Sequence, residues 1–155
     1  MKIWMKIAVI LFGIVLITFL LLNDYLPPRT PIKVAKIHSG LRISKSATVI
    51  YFKEDYAFTG EGQVEMKIKI AKSDIEDLEK ECLKSGFKTL TTDNLIESGF
   101  LDSNHQYGFK IPNTDLRNIN KGLYKLNATD MENQDFSITV LNLDNNELSI
   151  WTLIP

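Results

Sequence analysis

The sequence predicts an α+β protein with an N-terminal transmembrane helix, followed by a small domain built on a four- or five-stranded antiparallel sheet and one packed amphipathic helix. Three observations predict this class: a long apolar run at the start of the chain, two later pairs of segments with strand composition, and one segment with helical apolar spacing. The expected division is a signal anchor in residues 1–26, a Pro-rich linker in 27–33 and a globular domain in 34–155.

The apolar run extends from Ile7 to Leu22 and contains no charged residue. With its neighbours in residues 3–26, it is long enough to cross a hydrocarbon core of about 30 Å at about 1.5 Å per helical residue. A cleaved signal peptide is the alternative, but the run exceeds the usual apolar region of such a peptide, and residues 23–28 contain no small-x-small cleavage pattern. Pro27, Pro28 and Pro31 then predict an extended, stiff spacer.

The orientation of this anchor depends on the basic residues at its two ends. Lys2 and Lys6 precede the run, but more bases follow it, so a simple count opposes a cytoplasmic N-terminus. We nevertheless favour that orientation, because the prolines and Asp24 separate the later bases from the span, whereas the opposite orientation carries two lysines and the amino terminus across the bilayer. The expected location is therefore a bacterial-type cell membrane, crossed once, with the domain outside the cytoplasm.

The first half of the domain contains the clearest strand signals. Ala47–Lys53 is rich in β-branched and aromatic residues, and residues 64–70 alternate between apolar and charged side chains. A strand that is buried on one face has this alternation, because successive side chains point to opposite faces. The two segments are expected to form one hairpin, with a loop over residues 54–62.

The amphipathic helix is predicted from Ser73 to Ser85. Ser73 and Glu76 have the spacing of a capping box, and Gly86 supplies a stop signal. Ile75, Leu78, Cys82 and Leu83 recur at helical intervals and form an apolar stripe. This stripe is expected to pack on the apolar face of the hairpin.

The second half of the domain gives weaker signals until its end. Alternation at Tyr107, Phe109 and Ile111 predicts a short strand, and residues 114–121 predict one or two helical turns. The segments Phe136–Leu143 and Glu147–Ile154 then predict a second hairpin around a turn at 144–146.

Composition excludes several classes of function. The 18 Lys and Arg nearly balance the 19 Asp and Glu, which argues against a nucleic-acid binder. No phosphate-binding glycine loop or paired-histidine spacing is present, so no cofactor and no metal is expected. Six bases and no acid occur from Arg29 to Lys53, which favours either contact with anionic headgroups or wall polymers, or simply a solvated linker and sheet edge.

No catalytic residue is assigned. Cys82 is the single cysteine and lies on the stripe that should face the core, where a free thiol is usually inert. Asp102 and His105 are close in sequence, but catalytic groups normally meet through the fold, so a polar turn before the Tyr107 strand is the favoured interpretation. The acidic residues 130–135 lack the central glycine of a calcium loop.

The residues predicted to bind a ligand or partner are Tyr56 and Phe58, in the loop between the first two strands. Aromatic side chains on a loop tip supply contact area for recognition. The alternative is that both rings fold back over the edge of the sheet.

The sequence therefore predicts a single-pass membrane-anchored extracytoplasmic interaction domain that is not an enzyme. Its expected partners are the lipid bilayer, through residues 3–26, and another protein or an envelope component, but not nucleic acid. Neither the ligand nor the oligomeric state follows from the sequence. The alternatives are a cytoplasmic-facing accessory subunit of a membrane complex and a small membrane-anchored hydrolase that uses His105 with Asp102.

Overall fold

The computed structural model of the 155-residue chain describes residues 3–21, 29–56, 62–97, 116–130 and 135–154. In chain order the elements are α1 (Ile3–Leu21), α2 (Pro31–Ser39), β1 (Thr48–Tyr56), β2 (Gly62–Lys69), α3 (Ile75–Lys84), β3 (Lys88–Thr89), α4 (Thr92–Glu97), a 3₁₀ turn (Leu116–Asn118), β4 (Gly122–Asp130), β5 (Asp135–Asn142) and β6 (Glu147–Ile154). The described strands form one antiparallel sheet in the order β1-β2-β6-β5-β4-β3. The α+β class is confirmed.

The sheet has six strands, so the prediction of four or five was wrong. Both predicted hairpins are present, as β1–β2 and β5–β6. β4 was not predicted because both of its faces are covered. The adjacent residues Leu123 and Tyr124 are both buried, in different cores, so apolar and polar side chains do not alternate along the strand. β3 has only two residues and is too short to show a period. The strand predicted at Tyr107–Ile111 lies outside the described residues.

The two faces of the sheet pack into two separate cores. On one face, Ile68, Leu148 and Ile150 pack with side chains of α2 and α3, including Leu78 and Cys82. On the other face, the core comprises residues of β4 and β5 with α4 and the 3₁₀ turn: Tyr124, Phe136, Ile138, Val140, Leu95 and Leu116. Packing of α3 on the first hairpin is confirmed for Leu78 and Cys82, but Leu83, predicted to lie on the same stripe, is 54% exposed. α3 is also not the only packed helix.

α2 forms where the sequence predicted the end of an extended spacer. Pro31 occupies the first turn, where a missing N–H costs nothing, and the Thr30 hydroxyl accepts from the Lys33 N–H at 3.3 Å. The helix ends at Gly40, whose φ of 68° is the left-handed cap conformation that favours glycine. Helical structure therefore begins within the predicted 27–33 linker. The division of the chain into an anchor, a linker and a domain stays a prediction.

α3 begins at Ile75, two residues later than predicted, because Ser73 does not cap it. The Ser73 hydroxyl donates instead to Asp74 Oδ1 at 2.6 Å. Asp74 occupies the N-cap position and makes no side-chain cap bond. The expected capping box was wrong, whereas the predicted stop is confirmed: Gly86 follows the helix with a φ of 82°.

α1 is a helix of 19 residues. Its side chains are described from Ile7 to Leu20. Large apolar side chains in this stretch are 45–70% exposed. Within the described residues, no helix is long and apolar enough to cross a membrane. The transmembrane role of α1 therefore stays a prediction.

Candidate functional site

The sheet has two ends that differ in their surroundings. At the tip end, Tyr56 of β1 pairs with Gly62 of β2, which also pairs with Ile154 at the end of β6. At the turn end, Lys69 of β2 pairs with both Thr48 and Glu147, and the turn at 143–146 joins β5 to β6. Two clefts lie at the turn end.

The first of these, the acidic cleft, lies between α3 and the segment that connects α2 to β1. Its volume is about 280 Å³, and it is lined by Arg42, Ile43, Ser44, Ile70, Asp74, Asp77, Leu78 and Glu81. The apolar lining residues are buried members of the core: Ile43, Ile70 and Leu78. Carboxylates from the N-cap and one face of α3 stand around this apolar floor. The cleft is therefore apolar at its base and acidic at its rim.

Serine hydroxyls position the carboxylate of Asp74. Ser46 Oγ donates to Asp74 Oδ2 at 2.5 Å, and Ser73 Oγ donates to the other oxygen. Hydrogen bonds from Ser46, Ser73 and Ser44 hold the pKa of Asp74 below its ordinary value, because they stabilise the charged form. Asp74 is therefore ionised at neutral pH and presents a fixed negative charge.

The other two carboxylates of the acidic cleft differ in how firmly they are held. Glu81 Oε1 accepts from the Arg42 backbone N–H at 2.9 Å, which joins α3 to the segment after α2. The Arg42 guanidinium Nε lies 3.4 Å from the same oxygen, and its side chain is 91% exposed. Asp77 is 89% exposed, with Lys80 Nζ 4.0 Å away. Three carboxylates thus share the cleft with one exposed guanidinium, which leaves the cleft with negative charge.

The second cleft, the polar cleft, opens on the other face of the sheet. It has a volume of about 210 Å³ and is lined by Lys67, Asn118, Ile119, Asn142, Asn145, Glu147 and Ser149. The Glu147 carboxylate lies between two ammonium groups, 4.0 Å from Lys67 Nζ and 3.7 Å from Lys69 Nζ. Because these charges face one another, the polar cleft lacks the excess charge of the acidic cleft.

Of the two predicted site residues, the structure describes only the backbone of Tyr56, which lies at the opposite end of the sheet from both clefts. Tyr56 is the last residue of β1, where it pairs with Gly62, so its predicted place in the loop at 54–62 was wrong. Its side chain is not described. Phe58 lies outside the described residues, so a binding role for this pair stays a prediction. The acidic cleft was missed, although Asp74, Asp77 and Glu81 recur at the helical spacing that places them on one face. That spacing was the available signal.

Of the catalytic candidates, only Cys82 lies among the described residues. Asp102 and His105 lie outside the described residues. Cys82 is fully buried, and this burial raises the pKa of its thiol to about 12, with Glu81 and Glu79 adding to the effect. In the part of the chain that the structure describes, no three His, Cys, Asp or Glu side chains form a metal-binding group.

The buried thiol of Cys82 is expected to resist alkylation in the native protein. A raised pKa keeps the thiol protonated, and only the thiolate reacts quickly, so N-ethylmaleimide at about pH 8 should modify the protein only after denaturant is added. Mass spectrometry over time would show this. Modification of the native protein as fast as that of a cysteine-containing peptide would contradict the placement of Cys82 in the core.

Comparisons of the chain with protein-family models, curated proteins and solved structures found no match.

Proposed function

We propose that the protein is a single-pass membrane protein whose folded domain binds a basic segment of a partner protein in the acidic cleft. The observation that carries the proposal is the combination of an apolar floor with three carboxylates at the rim. The domain acts as a binding module outside the cytoplasm and not as an enzyme, and the anchor restricts binding to the surface of the cell membrane.

The anchor part of the proposal is supported by the apolar surface of α1. Its described apolar side chains are exposed along the whole stretch from Ile7 to Leu20. A continuous apolar surface of this kind is costly in water and needs an apolar environment, which a bilayer supplies.

The chemistry of the acidic cleft favours a lysine or arginine side chain. Such a side chain has an apolar stem, which can contact Ile70 and Leu78, and a cationic head, which can reach the carboxylates. A volume of about 280 Å³ lies just below the range of about 300–1,000 Å³ that is usual for small-molecule pockets, so one side chain of a partner fits better than a metabolite. The exposed Arg42 guanidinium is the group that an incoming cation would displace.

Asp77→Asn is expected to weaken binding of a basic peptide. The full-length protein, in nanodiscs of neutral lipid, is titrated into a fluorescein-labelled peptide of Arg-Gly-Ser repeats, and anisotropy reports binding. An exposed ion pair contributes up to about 1 kcal/mol, so the expected loss is about two- to fivefold in affinity. Because the interaction is electrostatic and exposed, added salt should weaken binding too.

The matched control is Glu76→Gln, which removes the same charge from the adjacent position. Glu76 does not line the cleft, and its carboxylate lies 2.7 Å from Lys80 Nζ. It should therefore leave affinity nearly unchanged. Equal losses in the two variants, or equal binding of a peptide with Glu in place of Arg, would contradict the assignment of the cleft.

A further inference from the structure

We infer that the tip end of the sheet faces the bilayer and that the turn end, which carries the acidic cleft, faces away from it. This orientation rests on the membrane anchoring proposed above. It makes the lipid surface the partner of the tip end and leaves the cleft open to a partner that approaches from the aqueous phase. The position of the chain where it enters the domain and the reach of the linker support it.

The chain enters the domain at the tip end. Arg29 is the first described residue after α1, and its NH1 atom lies 3.2 Å from Glu54 Oε1. Glu54 pairs with Val64 and lies two residues before Tyr56, where β1 ends. α2 begins two residues after Arg29, and the segment that follows α2 supplies Arg42 and Ser44 to the acidic cleft at the turn end. The chain thus runs from the tip end towards the turn end.

The length of the linker restricts the alternative orientation. Eight residue steps separate Leu21 from Arg29, which reach at most about 28 Å when fully extended. From Glu54 to Thr48, β1 covers about 20 Å towards the turn end. Bringing the turn end to the bilayer would therefore use most of the linker in a stretched path along the domain, which costs conformational entropy. The tip end reaches the bilayer without this cost.

The test compares two labelled positions in the full-length protein. Asp55→Cys places a fluorophore at the tip end, and Lys72→Cys places it beyond β2 at the turn end; both residues are exposed, so neither change should disturb the fold. Each variant is reconstituted in nanodiscs whose lipids carry a nitroxide on the headgroup, which quenches nearby fluorophores. Because the two positions lie about 20 Å or more apart along the sheet, quenching at position 55 should exceed that at position 72 by about twofold or more.

Equal quenching at the two positions, including none at either, or stronger quenching at position 72, would overturn the orientation. Failure of the anchor has a different signature, since the protein would then separate from the nanodiscs during size-exclusion chromatography. That result would remove the proposed anchoring and the orientation together. Circular dichroism of both variants checks that each retains the native fold.

Discussion

Leu148→Ala is expected to lower the free energy of unfolding by about 2–5 kcal/mol. Leu148 is 0% exposed and lies in β6, between Ile68 of β2 and Leu141 of β5. It belongs to the core that α2 and α3 cover, so its removal leaves a cavity between the sheet and both helices. Urea denaturation of the wild-type and variant domains in matched detergent would measure the difference.

Leu83→Ala supplies the matched control for this prediction. Leu83 belongs to α3 but is 54% exposed, so the same chemical change should alter the free energy of unfolding by no more than about 0.5 kcal/mol. Equal losses at positions 148 and 83 would contradict the packing of α3 on the sheet, because the two leucines would then be equally buried.

The double substitution Phe12→Asp and Leu16→Asp is expected to abolish membrane association. Both residues lie near the middle of α1, where each carboxylate costs about 2.5–3.5 kcal/mol if it enters the bilayer. A cost of 1.4 kcal/mol already lowers the equilibrium constant for membrane insertion tenfold. The combined cost of the two carboxylates is several times larger, so the membrane-bound fraction should fall to background. Cell fractionation followed by immunoblotting would measure it.

Phe12→Leu with Leu16→Ile is the control for this variant, because it changes the same positions and keeps α1 apolar. It should remain in the membrane fraction. Since the described side chains of α1 are exposed, both variants should keep the unfolding behaviour of the domain. Membrane retention of the double aspartate variant would show that α1 does not hold the protein in lipid.

The elements that were predicted correctly are those that have different environments on their two sides. In β2, buried Val64, Met66 and Ile68 alternate with less buried residues, and α3 buries Leu78 and Cys82 but not its acidic face. This contrast produces a periodic pattern in the sequence. β4 has cores on both faces and shows no such contrast, which explains why the number of strands was underestimated.

The acidic cleft could not be predicted as a cleft, because it depends on contacts between distant segments. Arg42 and Glu81 are 39 positions apart in the chain, and Ser46 and Asp74 are 28 apart. Helical spacing could place the three carboxylates on one face, but only the tertiary structure brings the serines and the apolar floor beside them. The choice of Tyr56 and Phe58 rested on residue type and predicted loop position, which do not locate a concave surface.

The most direct test of the membrane-anchored account is alkaline carbonate extraction of membranes from cells that express the full-length protein. Carbonate removes proteins held at the surface and leaves those whose helices cross the lipid. We predict that the wild-type protein stays in the membrane pellet. Release of the wild-type protein into the supernatant would contradict the account, because α1 would then not lie across the bilayer.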